Sequence, residues 1–130
     1  MRDAAEQLLT MIMEAHPRLT VLGYASTGAI DNSERAALKS DVAQFERACA
    51  WIETHLTPRK TISRRRTSYG LKHIAEPEIG YIRNGVFIAA LLACGYTIYV
   101  RRSPNPWVAV SEMAVRKAEE SVAQSKRGEA

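Results

Sequence analysis

The residues of this chain best equipped for chemistry are its cations. Arg59, Lys60, Arg64, Arg65, Arg66, Lys72, Arg83, Arg101 and Arg102 all fall between positions 57 and 102, where the only carboxylates are Glu76 and Glu78. Lysine and arginine beside a nucleic acid neutralise phosphates and release condensed counterions, the main source of sequence-independent affinity. Arginine adds a planar fork that meets a phosphate with two parallel hydrogen bonds. The Arg64–Arg66 run reads as a loop just ahead of Thr67 and Ser68, residue types that start helices, so its charges sit beside backbone N–H groups left free at a helix N-terminus. Thr61, Ser63, Thr67, Ser68 and Tyr69 supply hydroxyls of the kind that touch phosphate and sugar. Tyr69, set among the cations, is the one tyrosine placed to stack on a base. With His73 beside Lys72, and with Asn84 beside Arg83, these residues form the candidate binding set.

The charge is unevenly placed. Residues 1–56 hold five cations and eight carboxylates, residues 57–102 carry a net +7, and residues 103–130 balance, for +4 in all. An anionic partner for the middle block is one consequence. The competing readings are a solvated loop, pairing with the acidic first part of the same chain, or an acidic protein surface.

Catalysis finds no support. His16, His55 and His73 lie on separate segments, and Glu76 and Glu78 flank a proline in what reads as a turn. There is no glycine-rich phosphate loop and no nucleophile elbow. Cys49 and Cys94 lack metal-ligand spacing and read as reduced, buried thiols. The expectation is a protein without catalytic residues, metal or cofactor.

The elements that must position the cations follow from periodicity. Ala5, Leu8, Leu9 and Ile12 mark a first helix over 3–15, closed by Pro17, and residues 18–32 read as a loop with a short extended piece near Leu19. Ser33 is a candidate cap for a long helix over 33–56, whose stripe is Leu38, Val42, Phe45, Cys49, Ile52 and Leu56, with Trp51 off it. That stripe can pack inside the domain or seam a homodimer; packing inside is favoured. A short helix is expected over 68–75, with Leu71, Ile74 and Ala75 inward and Pro77 as its terminator. Asn84 is read as the cap of a helix over 85–94 that is apolar on all sides, hence buried, and stopped by Gly95. YTIYV and WVAVS around Arg101-Arg102-Ser103-Pro104-Asn105-Pro106 read as a β-hairpin, and a last helix covers 112–124 before a frayed tail.

The fold class expected is mainly α with a small β-hairpin, winged-helix-like: a helix-turn-helix plus hairpin wing, preceded by a long amphipathic helix. The chain reads as a single domain over 1–130. Within it lie an N-terminal helix and loop (1–32), the long helix (33–56), a basic winged-helix-like core (57–111), and a C-terminal helix with its tail (112–130). The helix over 85–94 has no polar side chain, so only Arg83 and Asn84 at its start can reach a base edge. Sequence readout would then fall to residues 64–73 and the wing, and shape-based specificity is expected.

The block from Thr61 to Val110 carries Thr61-Ile62, Arg65, Ser68-Tyr69-Gly70-Leu71-Lys72-His73, Gly80-Tyr81-Ile82, Asn84-Gly85, Phe87-Ile88, Gly95-Tyr96 and Asn105. It resembles a group of small proteins encoded in prophages and other mobile elements, over the central part of the chain and not its N-terminal half. The resemblance implies a bacterial, phage-type setting, where small domains are often DNA-binding regulators or inhibitors of host defence enzymes.

The leading expectation is a nucleic-acid-binding protein, with duplex DNA as partner, acting through the basic segment and the wing. The alternative is a phage-encoded inhibitor of a host defence nuclease complex, of anti-CRISPR or anti-restriction type, using the same basic face. The N-terminus lacks an apolar signal-peptide core, and the longest apolar run, Val86–Cys94, is far short of the ~20 residues that span a bilayer. No membrane partner and a cytoplasmic location in a bacterial host are therefore expected.

Overall fold

The computed structural model describes residues 2–129; Met1 and Ala130, the ends of the expected first and last segments, lie outside the described residues. Helix α1 (Arg2–Ala15) leads into a two-residue-stranded hairpin, β1 (Leu19–Thr20) and β2 (Gly23–Tyr24). Leu9 and Met13 anchor α1 in the core, while Leu8, expected inward, is exposed. Arg35 ties this corner together: its guanidinium donates to the carbonyls of Met13, His16 and Leu19 at 2.9, 3.1 and 2.8 Å. Carbonyls that the end of α1 leaves without a helical partner are thereby satisfied.

The long helix expected over 33–56 is two helices, α2 (Asn32–Ser40) and α3 (Val42–His55). Asp41 leaves helical geometry at φ −88°, ψ 47°. The Ser40 hydroxyl turns back onto the Ala37 carbonyl at 2.8 Å, the local competition for backbone groups that makes Ser and Asp poor helix-interior residues. The cap of α2 is Asp31 rather than Ser33; its carboxylate accepts from the Ser33 N–H at 2.8 Å and the Ser33 hydroxyl at 2.6 Å. The apolar stripe survives the break because it faces one core. Leu38, Val42, Phe45, Ile52 and Leu56 are buried, Trp51 joins them, and Cys49 is half-buried. The stripe is spent inside the protomer, which removes it as a homodimer seam.

The basic segment expected as a loop is a strand, β3 (Pro58–Thr67), the edge of an antiparallel sheet in the order β3, β5, β4. Its partners are β4 (Ile98–Tyr99) and β5 (Trp107–Val110), a hairpin shorter than the sequence reading gave. Pairing with β5 satisfies backbone groups that a loop over the core would leave unpaired. The register is broken twice, between Pro58 and Ser63 and between Ser63 and Thr67. Such bulges re-aim side chains, and here they carry Arg59, Lys60 and Arg64–Arg66.

Helix α4 (Ser68–Ile79) starts on Thr67, whose hydroxyl accepts from the Gly70 N–H at 3.1 Å. It runs through Pro77 rather than stopping before it. Gly80, at φ +83°, closes its end by donating its N–H to the Glu76 carbonyl at 2.8 Å. Helix α5 (Asn84–Ala93) is buried from Gly85 to Leu91, as its all-round apolar sequence requires. Its cap residue is Arg83, which makes no side-chain capping bond, and Asn84 is already the first helical residue. Helix α6 (Glu112–Glu129) completes the chain and takes in most of the expected tail.

The architecture is thus mixed α/β, six helices with two small antiparallel sheets among the described residues, rather than α with one hairpin. None of these helices is long and apolar enough to cross a membrane.

Candidate nucleic-acid interface

Three of the predicted site residues are engaged by partners within the fold. Lys72 is only 3% exposed. Its ammonium donates to Glu76 at 2.7 Å and lies over the rings of Tyr69 and Tyr81, 5.2 and 4.9 Å from their centroids. Burying a lysine stem on an apolar helix face requires a partner for the charge, and Glu76 sits one turn on to provide it. Burial alone would raise the Glu76 carboxyl, but the Lys72 ammonium and the Ile82 N–H bind its charged form and hold it below the usual carboxylate range. Ser68 is fully buried, its hydroxyl 3.4 Å from the Asn84 Oδ1. Arg66 forms a fork with Glu112 at 2.6 and 3.0 Å and reaches Glu119 at 3.4 Å, so α6 consumes its charge.

Two further residues are partly spent. Arg83 leans towards Asp41, Nη1 to Oδ2 3.8 Å, at the break between α2 and α3. Asn84 donates to the Leu22 carbonyl at 3.0 Å and to the Asn105 Oδ1 at 2.7 Å, joining the N-terminal hairpin, α5 and the β4–β5 turn. His73 is exposed but pairs with Glu76 at 3.0 Å, with Tyr69 against its ring edge at 4.2 Å.

The cations left over gather around the sheet. Arg59, Lys60, Arg64, Arg65 and Arg102 are exposed, and none of them has a carboxylate within ion-pair distance among the described residues. Among the described residues, the proposed pairing with the acidic first part of the chain is made by Arg83 alone. Arg59 curls onto its own strand, donating to the Thr61 and Ile62 carbonyls.

At the centre is an aromatic pair that the sequence reading did not single out. Tyr99 and Trp107 are direct cross-strand partners on β4 and β5 and stack at 5.6 Å with 29° between planes. Their strand neighbours Val108 and Ile98 turn towards the core, while Tyr99 is exposed and Trp107 half-buried. Arg101 and Arg64 lie over the indole of Trp107, 4.6 and 5.3 Å from the ring centroid. Cations over an indole face are held by its quadrupole while their outer edges remain hydrated. The available signal was the pairing of Tyr99 and Trp107 across a hairpin whose connecting turn carries only positive charge.

The turn between β4 and β5 is not a free tip. The Pro104 carbonyl accepts from the Tyr24 N–H at 3.0 Å, and the Pro106 carbonyl accepts from the Ser68 N–H at 3.0 Å. The turn, α4 and the N-terminal hairpin are one fixed corner, which presents Arg101 and Arg102 in a pre-set geometry. Neither the family models, nor the curated proteins, nor the solved structures contain a match to this chain.

Proposed function

We propose that this protein binds nucleic acid through the outer face of the β3–β5–β4 sheet and its turn, as a small DNA-binding, regulatory-type module. The observation that carries the reading is the sorting of the cations. Lys72, Arg66 and Arg83 are engaged by acids, whereas Arg59, Lys60, Arg64, Arg65, Arg101 and Arg102, on β3 and the turn, have no ion-pair partner among the described residues, and two of them, Arg64 and Arg101, lie over Trp107. Cations kept free of internal acids suit phosphates, whose contacts need charge and forks rather than base chemistry.

The order α3, β3, α4, α5, β4, β5, with β3 beside β5, supports a winged-helix reading in which the hairpin is the wing. The helix that would enter a major groove in that scheme is α5, and it is covered on its N-terminal side by β1 and β2. Contact therefore runs through the wing and β3, to the backbone, with specificity from shape rather than base edges. In this reading no side chain does covalent chemistry, and the setting is the cytoplasm of a bacterial host.

The test is a salt titration of binding to a short duplex by the wild-type chain and by Arg64→Ala/Arg65→Ala. The variant should weaken binding to all sequences alike, with the slope of log affinity against log salt falling by about two. Absence of salt-dependent binding to DNA or RNA at low ionic strength overturns the proposal.

One observation favours the second reading, inhibition of a host defence nuclease complex. Tyr69 and Tyr81, on either side of Lys72, are 44% and 68% exposed, and tyrosine is enriched at protein interfaces. Capture of a host complex that survives nuclease treatment, and is lost in Tyr81→Ala, would place this reading first.

A further inference from the structure

Resting on the nucleic-acid reading, we infer that Tyr99 is a base-stacking platform, and that the preferred ligand is a strand with unpaired bases rather than a continuous duplex. Tyr99 is 55% exposed, although it is a large aromatic residue on a two-residue strand. One face of its ring is committed to Trp107, and the exposed remainder is aromatic surface in water. Trp107 is in turn braced by two guanidinium groups from separate segments, Arg64 on β3 and Arg101 in the turn. The two rings thus form a stack with an open end, and the two guanidinium groups over the indole have no ion-pair partner among the described residues.

That is the physical recipe for single-strand recognition: a π-face for a base, with charges spaced to follow the backbone on which the base hangs. A base in a continuous duplex is stacked on both faces and cannot reach the ring without being unstacked. A base in a single strand, a flap or a duplex end can reach it. Preorganisation favours the same conclusion. The ring geometry is set by cross-strand pairing, and the turn is pinned at Pro104 and Pro106, so little side-chain freedom remains to be lost on docking.

The experiment compares three probes at low ionic strength: an oligothymidylate of about 16 nucleotides, an abasic strand of equal length and charge, and a blunt duplex. The oligothymidylate should bind most tightly and quench tryptophan emission, since Trp107 lies directly under the platform. Tyr99→Ala should lower its affinity about tenfold while leaving the abasic strand within about twofold. Tyr99→Leu, which keeps an apolar residue on the strand but has no π-face, should behave as the alanine variant does, and Tyr99→Phe as wild type. If oligothymidylate and abasic strand bind equally and the Tyr99 variants change nothing, the platform is refuted while phosphate binding stands. If none of the three probes binds with salt dependence, the nucleic-acid reading fails and takes this inference with it.

Discussion

The backbone N–H of Gly85 donates to the Val21 carbonyl at 2.9 Å, so the N-terminal hairpin is bonded directly onto the first turn of α5. The approach is so close that a Cβ at position 85 would penetrate the neighbouring Thr20 carbonyl. This contact covers the helix that a groove-reading scheme would need exposed. Gly85→Ala should therefore either lift the hairpin or shift α5, at a cost of about 3 kcal/mol, the upper part of the range for overpacking. Urea unfolding checks the magnitude. A loss below about 1 kcal/mol would mean that the hairpin is not seated on α5 as described.

Lys72 illustrates how a cation in a basic run can belong to the core. Lys72→Ala removes one partner of a buried pair and leaves the Glu76 carboxylate with less than it needs, so the stability loss should be about 3 kcal/mol. Lys72→Met, which restores the apolar stem, should recover part of it. Affinity for nucleic acid should change far less than for Arg64→Ala. The comparison of thermal melts with binding isotherms separates the structural role from a contact role.

The stripe on α2 and α3 should be felt as core. Phe45→Ala and Ile52→Ala should each cost about 2–5 kcal/mol, because both side chains are almost wholly enclosed. The melting temperature should not depend on protein concentration in wild type or variants, since the stripe is packed within the protomer. A concentration-dependent midpoint would restore the dimer-seam reading.

Acid should destabilise the fold through two carboxylates. The fork from Arg66 holds Glu112 below its ordinary value of 4.5, and Glu76 is held below the same value by Lys72 and the Ile82 N–H despite burial. A group whose folded-state pKa is depressed adds stability above its unfolded value and loses it as pH falls through the folded one. Stability should thus be level above about pH 5 and fall below pH 4.5. Arg66→Gln should flatten part of that fall, read as a smaller drop in unfolding midpoint between neutral and acid conditions. An unchanged drop would show that the Arg66–Glu112 fork is not formed in solution.

Local physics was legible wherever a segment's own pattern decided its fate. The all-apolar run from Gly85 to Leu91 had to be buried, Thr67 had the hydroxyl to cap α4, and Leu38 through Leu56 kept helical spacing for one core. Composition also placed the excess positive charge between residues 57 and 102. What the one-dimensional pattern lacks is partners. Whether Arg66 is free depends on Glu112, and whether Lys72 is free depends on Glu76 and on the two tyrosines that close over it. The segment from Pro58 to Thr67 has too many charges to announce a strand, and became one only because β5 lay alongside to pair its backbone. Pro77 was expected to end α4, yet the helix runs on to Ile79 and Gly80 closes it beyond the proline. The sequence by itself determined which segments must be buried and where the charge would lie. Tertiary packing decided which cations stay free, because neutralisation and exposure are set by contacts between residues far apart in the chain.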